Sequence, residues 1–139
     1  MFSGGAEHVI MVDPMLYELN NYPYKNYQYQ CTMGEPLKTQ AELDEICAGL
    51  EMMSDTTFYR MTSLEAAKKV KDGSLDLVFI DGMHTPQDLE ADMRAWAPKI
   101  REGGIICGDD FEPHTELGRV ILGIYPNVSY SIPVWYQQL

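Results

Sequence analysis

The stretch LDLVFIDGMHTPQDLEADMRAWAPKIREGGIICGDD, residues 75–110, decides the fold of this chain. Leu75–Ile80 is almost wholly apolar, which predicts a strand buried on both faces. Thr85 offers a side-chain oxygen to cap a helix, and Pro86 suits the first helical position. Ile105–Cys107 predicts a second buried strand, so the stretch indicates a strand–helix–strand unit whose two strands run parallel.

The predicted helix presents one apolar stripe. The residues of this stripe recur at helical spacing: Leu89, Met93, Trp96 and Ile100. We expect Pro98 to loosen the last turn and Gly103-Gly104 to end the helix.

Acidic residues follow both predicted strands. Asp81 comes directly after the first strand, and Asp109 and Asp110 follow the second. Parallel strands end at one edge of a sheet, and this edge is where open α/β sheets bind ligands. Carboxylates gathered there repel each other unless a cation or a donor-rich ligand lies between them.

The pattern DLVFIDGxHxxxxxxxDxxxWxPKxxxGGxIxGDDF, residues 76–111, resembles the second half of a class I S-adenosylmethionine-dependent methyltransferase. It is most similar to metal-dependent O-methyltransferases of small molecules, of the macrolide-sugar and catechol type. The resemblance covers roughly residues 8 to 139. It implies an α/β fold with a Rossmann-like sheet that is mostly parallel and ends in a C-terminal antiparallel hairpin.

The resemblance also implies a set of residues that bind the cofactor S-adenosylmethionine. They are Asp13, Ser63, Asp81, Gly82 and His84. Asp13 follows a short apolar strand, where a carboxylate accepts hydrogen bonds from ribose hydroxyls. An Asp before a proline is also common in plain turns. Ser63 matches the adenine contact, although a role as helix cap alone would explain it fully.

The chemistry implied by the resemblance is methyl transfer to a hydroxyl, assisted by Mg²⁺ or another divalent cation. Asp81, Asp109 and Asp110 would hold the cation, which would lower the pKa of the substrate hydroxyl. Asp81 and His84 are the predicted catalytic residues, and His84 could take the proton. Alternatively, His84 is a loop histidine near a helix start. His114 is a further possible ligand or a surface residue.

The glycine motif of this family belongs upstream of Asp13, but only seven residues precede His8. We therefore expect a fold that lacks the first strand and the glycine motif. Ser3-Gly4-Gly5 could be the tail of the loop that carries this motif. The family's strand order, 3-2-1-4-5-7-6, then has a gap. We expect His8–Val12 to pair directly with Leu75–Ile80. The alternatives are a homo-oligomer formed through the N-terminal half and a short strand added by residues 1–7. We also expect weak or absent cofactor binding by this chain alone.

The remaining elements follow from local patterns. The predicted helices are residues 40–52, behind a capping box at Thr39, residues 64–71, and about 113–124; the predicted strands are Thr57–Met61, Val128–Ile132 and Val134–Gln138. Residues 15–38 hold five tyrosines and suggest either an aromatic lid over the substrate or a loop that covers core.

Length, charge and cysteine content limit the functions that this chain can have. We expect 139 residues to form a single domain, residues 1–139. The net charge of −11 argues against nucleic acid and membrane partners, and favours a small-molecule substrate. Without a signal peptide, and with three cysteines in no CxxC spacing, the chain is expected to be cytoplasmic.

Two other functions compete with an active enzyme. One is a truncated, catalytically inactive or partner-dependent binding module of the methyltransferase type. The other is a phosphoacceptor receiver domain, which also gathers aspartates at a sheet edge. The receiver carries its Asp pair after the first strand and a Lys after the fifth; this chain has the reverse order and no such Lys, so we reject it.

Overall fold

The computed structural model describes residues 7–14, 39–82 and 85–139. The chain divides into two compact units, Met1–Thr62 and Ser63–Leu139. Among the described residues, no helix is both long enough and apolar enough to cross a bilayer.

The first unit contains a pair of parallel strands and one helix. Strand β1 is Val9–Val12 and β2 is Thr56–Tyr59, with Val9 opposite Thr56. Helix α1, Gln40–Glu51, begins behind the predicted capping box: the Thr39 hydroxyl accepts from the Glu42 N–H, and the Glu42 carboxylate accepts from the Thr39 N–H at 2.8 Å. Leu43 is fully buried on this helix. The capping box is therefore confirmed.

The second unit is built on a four-stranded sheet. Its strands are β3, Leu75–Ile80; β4, Ile100–Gly108; β5, Ser129–Ser131; and β6, Val134–Gln138. Their order is β3-β4-β6-β5, in which β3 and β4 are parallel and β6 is antiparallel to both of its neighbours. The predicted parallel unit and the C-terminal antiparallel hairpin are both confirmed.

Three helices complete the second unit. They are α2, Ser63–Ala67; α3, Pro86–Trp96; and α4, Glu116–Ile124. The α3 cap is as predicted, because the Thr85 hydroxyl accepts from the Asp88 N–H at 3.2 Å. Helix α2 is shorter than predicted and ends at Ala67.

The end of α3 differs from the prediction. The helix stops at Trp96, one 3₁₀ turn covers Ala97–Lys99, and β4 already begins at Ile100. Pro98 has no N–H to continue the helical hydrogen bonds, so it ends the helix rather than loosening it. Gly103, with φ of 76°, then lies inside the extended strand instead of ending a helix.

The core of the second unit lies between one face of the sheet and helices α3 and α4. Fully buried Trp135, Phe111, Met93 and Ile106 belong to it, and Ile80 is 8% exposed. The opposite face of β3 is different, because Leu77 and Phe79 are each 53% exposed. The prediction that this strand is buried on both faces is therefore wrong: its side chains alternate between the core and the surface.

Within each sheet, the strand order is the one that the resemblance implies: β2-β1 corresponds to 3-2 of the family, and β3-β4-β6-β5 corresponds to 4-5-7-6. β1 and β2 form one sheet, and the other four strands form the second. Direct pairing of His8–Val12 with Leu75–Ile80, which we predicted, is not found in either sheet. Three predicted features lie outside the described residues: the Ser3-Gly4-Gly5 loop, the tyrosine-rich segment 15–38, and His84.

Candidate active site at the carboxyl edge of the sheet

The carboxyl ends of β3 and β4 lie side by side. Ile80 is paired with Gly108 in the parallel register, and the Asp109 N–H donates to the Ile80 carbonyl at 3.3 Å. Asp81 and Asp109 are the next residues along each strand. The sequence prediction that both follow adjacent parallel strands at one sheet edge is confirmed.

The Asp109-Asp110 pair turns the chain away from the sheet. The Asp109 carboxylate accepts from the Asp110 N–H at 2.9 Å, and Asp110 has a left-handed backbone with φ of 60°. Asp tolerates this conformation better than most residues, because its short side chain can bond locally. Phe111 anchors the turn: its side chain is fully buried, and its N–H donates to the Pro133 carbonyl at 2.7 Å.

The predicted cation site is not assembled by this arrangement. Within residues 7–14, 39–82 and 85–139, no three acidic, histidine or cysteine side chains are grouped so that they could hold a metal ion. Asp109 accepts a hydrogen bond from the backbone of the next residue, and Asp110 itself has a left-handed backbone. Three carboxylates suit Mg²⁺ by their chemistry, but as placed they do not fit it. His114, an exposed residue after the Asp pair, joins no such group either.

The loop after β3 packs against helix α3. A Cβ added at Gly82 would lie 3.4 Å from the Asp92 Oδ2 atom, so the Asp92 carboxylate lies against this loop. Burial raises the pKa of Asp92; the nearby Ser63 hydroxyl acts in the opposite direction, and the charge of Asp88 raises the pKa further. Asp92 thus supports the loop that carries two predicted cofactor residues, Asp81 and Gly82.

Ser63 does not act as the helix cap that its sequence suggested. It is the first residue of α2, and its hydroxyl accepts a hydrogen bond from the Trp96 indole N–H at 2.8 Å. The same hydroxyl lowers the pKa of the nearby Asp92 carboxyl, against the larger effect of burial. Sequence reasoning missed Asp92 and the polar role of Trp96. The sequence did offer one signal for their proximity. Asp92 lies four residues before Trp96, which places the two side chains on neighbouring turns of α3, beside its apolar stripe.

Asp13 lies at the carboxyl end of β1 in the first unit. Its N–H donates to the Tyr59 carbonyl at 3.2 Å, which continues the parallel pairing of β1 and β2 beyond the strands. This position is the strand end that the sequence predicted. Its ribose-binding role stays a prediction.

Residues 3–111 match a family described as a methyltransferase domain. This match crosses the boundary between the two units at Thr62. An uncharacterized protein, y4gI, of Sinorhizobium fredii is 36% identical over 53 residues, which are 38% of this chain and 6% of that protein.

Two solved structures are similar to the chain. A protein of Corynebacterium glutamicum superposes with a TM-score of 0.56 and 16% identity, over 94% of this chain and 60% of that chain. Spermidine synthase from Thermotoga maritima superposes with a TM-score of 0.47 and 12% identity, over 94% of this chain and 52% of that one. The chain thus spans about three fifths of the first structure. By its match over residues 3–111, the chain belongs to the methyltransferase-domain family, and its mixed α/β fold is that of a class I S-adenosylmethionine-dependent methyltransferase.

Proposed function

We propose that this domain transfers the methyl group of S-adenosylmethionine to a hydroxyl of a small molecule. Membership of the methyltransferase family supports the cofactor and the class of reaction. The observation that carries the proposal further is the pairing of Ile80 with Gly108, because it sets Asp81 and Asp109 side by side at the ligand-binding edge of the sheet. Acidic groups there suit a substrate that brings hydroxyl donors.

The proposed cofactor contacts are polar groups at strand and helix ends. The Asp13 carboxylate suits the two ribose hydroxyls as an acceptor, and the Ser63 hydroxyl suits the adenine. Asp81 and Gly82, in the loop after β3, are further proposed contacts, and His84 follows them in the sequence. The small Gly82 lets a ligand approach the backbone closely.

Methyl transfer makes few chemical demands on the protein. The bond between sulfur and the methyl carbon breaks as the bond between oxygen and that carbon forms, and the hydroxyl proton must leave. The protein's main contribution is alignment of the oxygen with the methyl carbon. In the proposal, Asp81 orients the hydroxyl and His84 receives its proton.

Dependence on Mg²⁺ or another divalent cation is a separate part of the proposal. Asp81, Asp109 and Asp110 are its proposed ligands, and they would have to move closer together than they are here. The reaction proposed above does not rely on this cation.

A partner-dependent binding module is the second candidate. It is favoured by three half-exposed apolar residues on the sheet, Leu77, Phe79 and Tyr136. The other expectations on partners remain predictions: no nucleic acid, no membrane, and a possible homo-oligomer through the N-terminal half.

The test is methyl transfer from methyl-labelled S-adenosylmethionine to a panel of sugar and catechol hydroxyls, followed by mass spectrometry of the products. Asp81→Asn should abolish transfer. The matched control is Asp76→Asn, near the start of β3, where the carboxylate pairs with the exposed Arg101, and it should leave transfer unchanged. Equal activity of Asp81→Asn and the wild-type chain would contradict the proposed role of this edge.

The same assay separates the remaining alternatives. Transfer that continues unchanged in excess chelator would exclude the cation from the mechanism. Binding of S-adenosylmethionine without transfer to any hydroxyl compound, and with transfer restored by added cell protein, would favour the partner-dependent module.

A further inference from the structure

The four-stranded sheet of the second unit has two edges, and they differ in how well they are protected from pairing. One edge is β5, which is three residues long, has a serine at each end and is followed closely by Pro133. A short strand beside a proline is a common way to block an edge. The other edge is β3, which is six residues long, contains no proline or lysine, and has Asp76 as its one charged residue. In the part of the chain that the structure describes, β3 pairs with β4 alone.

The backbone groups of β3 that face away from β4 follow from their alternation along the strand. The carbonyls of Val78 and Ile80 accept hydrogen bonds from the end of β4 and the residue after it, so both face that strand. Successive residues of a strand turn their N–H and C=O groups to opposite edges. The N–H and C=O groups of Leu77 and Phe79 therefore point outward, where no described strand lies beside them.

The side chains along this edge are apolar, and half of them are open to solvent. Leu77 and Phe79 are each 53% exposed, on the face of the sheet that α3 and α4 do not cover. Val78 and Ile80 alternate with them and pack into the core on the covered face. An apolar strand of this length, with unpaired backbone groups at the edge, is the kind of edge that pairs with a strand of another chain.

We propose that two copies of this chain pair through β3, antiparallel and about a two-fold axis at Val78. In this register Leu77 of each copy lies opposite Phe79 of the other, and each such pair exchanges both of its N–H···O=C hydrogen bonds. The same pairs bring an aliphatic and an aromatic side chain together on the uncovered face, a favourable cross-strand combination. A two-fold interface is self-complementary, so one strand supplies both halves.

Charge selects this register over its neighbour. An axis at Leu77 would also align the outward-facing backbone groups, but it would set the two Asp76 residues diagonally across from each other, about 7–8 Å apart. With the axis at Val78, each Asp76 lies opposite Ile80 of the other copy, and the two Asp76 residues are about 13 Å apart along the strands. Each Asp76 carboxylate also keeps its ion pair with Arg101 of its own sheet.

This interface is independent of the proposed methyl transfer and of the homo-oligomer predicted through the N-terminal half, because β3 lies in the second unit. One pair of strands makes a small contact, so we expect a weak dimer and a monomer in dilute solution. The antiparallel arrangement directs the carboxyl ends of the two β3 strands to opposite ends of the interface. Each copy therefore keeps Asp81 and Asp109 at its own edge of the sheet.

The first experiment measures association of the whole chain by sedimentation equilibrium at increasing concentration. We expect a monomer–dimer equilibrium with a dissociation constant of about 10–100 µM. Added salt should tighten the dimer, because the net charge of −11 makes the copies repel each other. A chain that stays monomeric up to about 1 mM would overturn the proposal.

The second experiment compares two substitutions on the uncovered face of the sheet. Phe79→Lys should weaken the dimer about tenfold, because it removes the contact with Leu77 of the other copy and puts a charge on the edge. The matched control is Tyr136→Lys: Tyr136 is 50% exposed on the same face, but β6 lies two strands away from this edge, so the dissociation constant should not change. Equal weakening by both substitutions would place the contact on the face of the sheet and contradict pairing at its edge.

The position of the axis is tested by oxidation of single-cysteine variants. At the axis, the two copies of Val78→Cys would have Cα atoms about 4.5 Å apart, within the range that a disulfide spans. Mild oxidation should therefore link Val78→Cys into a covalent dimer. Leu77→Cys, the adjacent and more exposed position, and the wild-type chain with its native cysteines are the controls and should stay unlinked. Linkage of Leu77→Cys instead of Val78→Cys would contradict the axis.

The last experiment follows amide hydrogen exchange in the wild-type chain at two concentrations. In the dimer, the amides of Leu77 and Phe79 should exchange slowly, as should those of Val78 and Ile80, which face β4. On dilution to the monomer, exchange at Leu77 and Phe79 should become fast, while Val78 and Ile80 stay protected. Slow exchange at Leu77 and Phe79 in the monomer would show that the same chain already covers this edge, and the proposal would be overturned.

Discussion

The two faces of the four-stranded sheet are covered very differently. On one face, Trp135 is fully buried and Ile80 is 8% exposed, under helices α3 and α4. On the other face, Phe79 is 53% exposed and Tyr136 is 50% exposed, although Cys107 between them is buried. Both faces carry apolar side chains, as strands do in sheets that are covered on both sides. The apolar sequence therefore shows that both faces of these strands could be covered. The structure shows which of the two faces is covered among the described residues.

The largest contrast is expected between Trp135 and its neighbour Tyr136. Trp135→Ala should destabilise the chain by about 3–5 kcal/mol, because it removes the largest side chain of the core and leaves a cavity. Tyr136→Ala, one residue along the same strand and on the other face, should cost less than about 1 kcal/mol. Urea unfolding followed by circular dichroism measures both. Similar losses for the two variants would show that both faces contribute equally to stability.

A second contrast, between two glycine substitutions, tests how tightly the covered face is packed. Gly108→Ala would place a Cβ 2.5 Å from the Ile80 carbonyl oxygen and 2.9 Å from the Trp135 indole nitrogen. We expect a loss of about 1–3 kcal/mol from this overpacking. Gly123→Ala on α4, where a Cβ meets nothing within 4 Å, should instead stabilise the chain by about 0.5–1 kcal/mol. A Gly108→Ala variant as stable as the wild-type chain would mean that both the Ile80 carbonyl and the Trp135 side chain can shift without cost.

A smaller effect is expected at Asp92, on the helix that covers the buried face. Burial raises the folded-state pKa of this carboxyl above its unfolded value. The contribution of Asp92 to stability is therefore full below the unfolded pKa, and it is lost as the pH rises through the folded pKa.

Asp92→Asn removes this pH dependence. Relative to the wild-type chain, the variant should gain stability between acidic and neutral pH, by less than about 1 kcal/mol because solvent screens a partly exposed group. The measurement is the unfolding free energy of both chains at several pH values from about 4 to 7. A difference between them that falls with rising pH would contradict the assigned direction of the pKa shift.

The smallest effect on stability is expected on the face of the sheet that helices α3 and α4 do not cover. Phe79→Ser should change the unfolding free energy by no more than about 0.5 kcal/mol, while Ile80→Ser, the next residue, should be strongly destabilising. Phe79→Ser should also lower the binding of a dye that reports exposed apolar surface, because Phe79 is half exposed. Unchanged dye binding would show that the dye recognises another surface.

The parts of the fold that sequence predicted well are those fixed by local chemistry. Thr39 with Glu42, and Thr85 with Asp88, each made the capping bond that their spacing indicated. The apolar run of Leu75–Ile80 gave the limits of β3 correctly. These features depend on a few neighbouring residues and need no information about the rest of the chain.

The parts that failed depend on distant residues. Exposure of Phe79 depends on what covers the sheet, and the start of β4 at Ile100 depends on its pairing with Leu75. At the candidate site, adjacency of Asp81 and Asp109 followed from parallel strands. The left-handed turn at Asp110 did not, because an Asp pair fits several turn conformations. The hydrogen bond from the Trp96 indole N–H to the Ser63 hydroxyl joins two helices, and local sequence patterns did not predict it either.

The most direct test of the methyltransferase assignment is titration of the ¹⁵N-labelled chain with S-adenosylhomocysteine. We predict weak binding, with a dissociation constant above the micromolar range. The largest changes should be in the amide signals of Asp13, Ser63, Asp81 and Gly82, and small changes are expected on the helices away from the sheet edge. Changes concentrated elsewhere, with these four signals in place, would contradict the assignment of cofactor contacts to these residues.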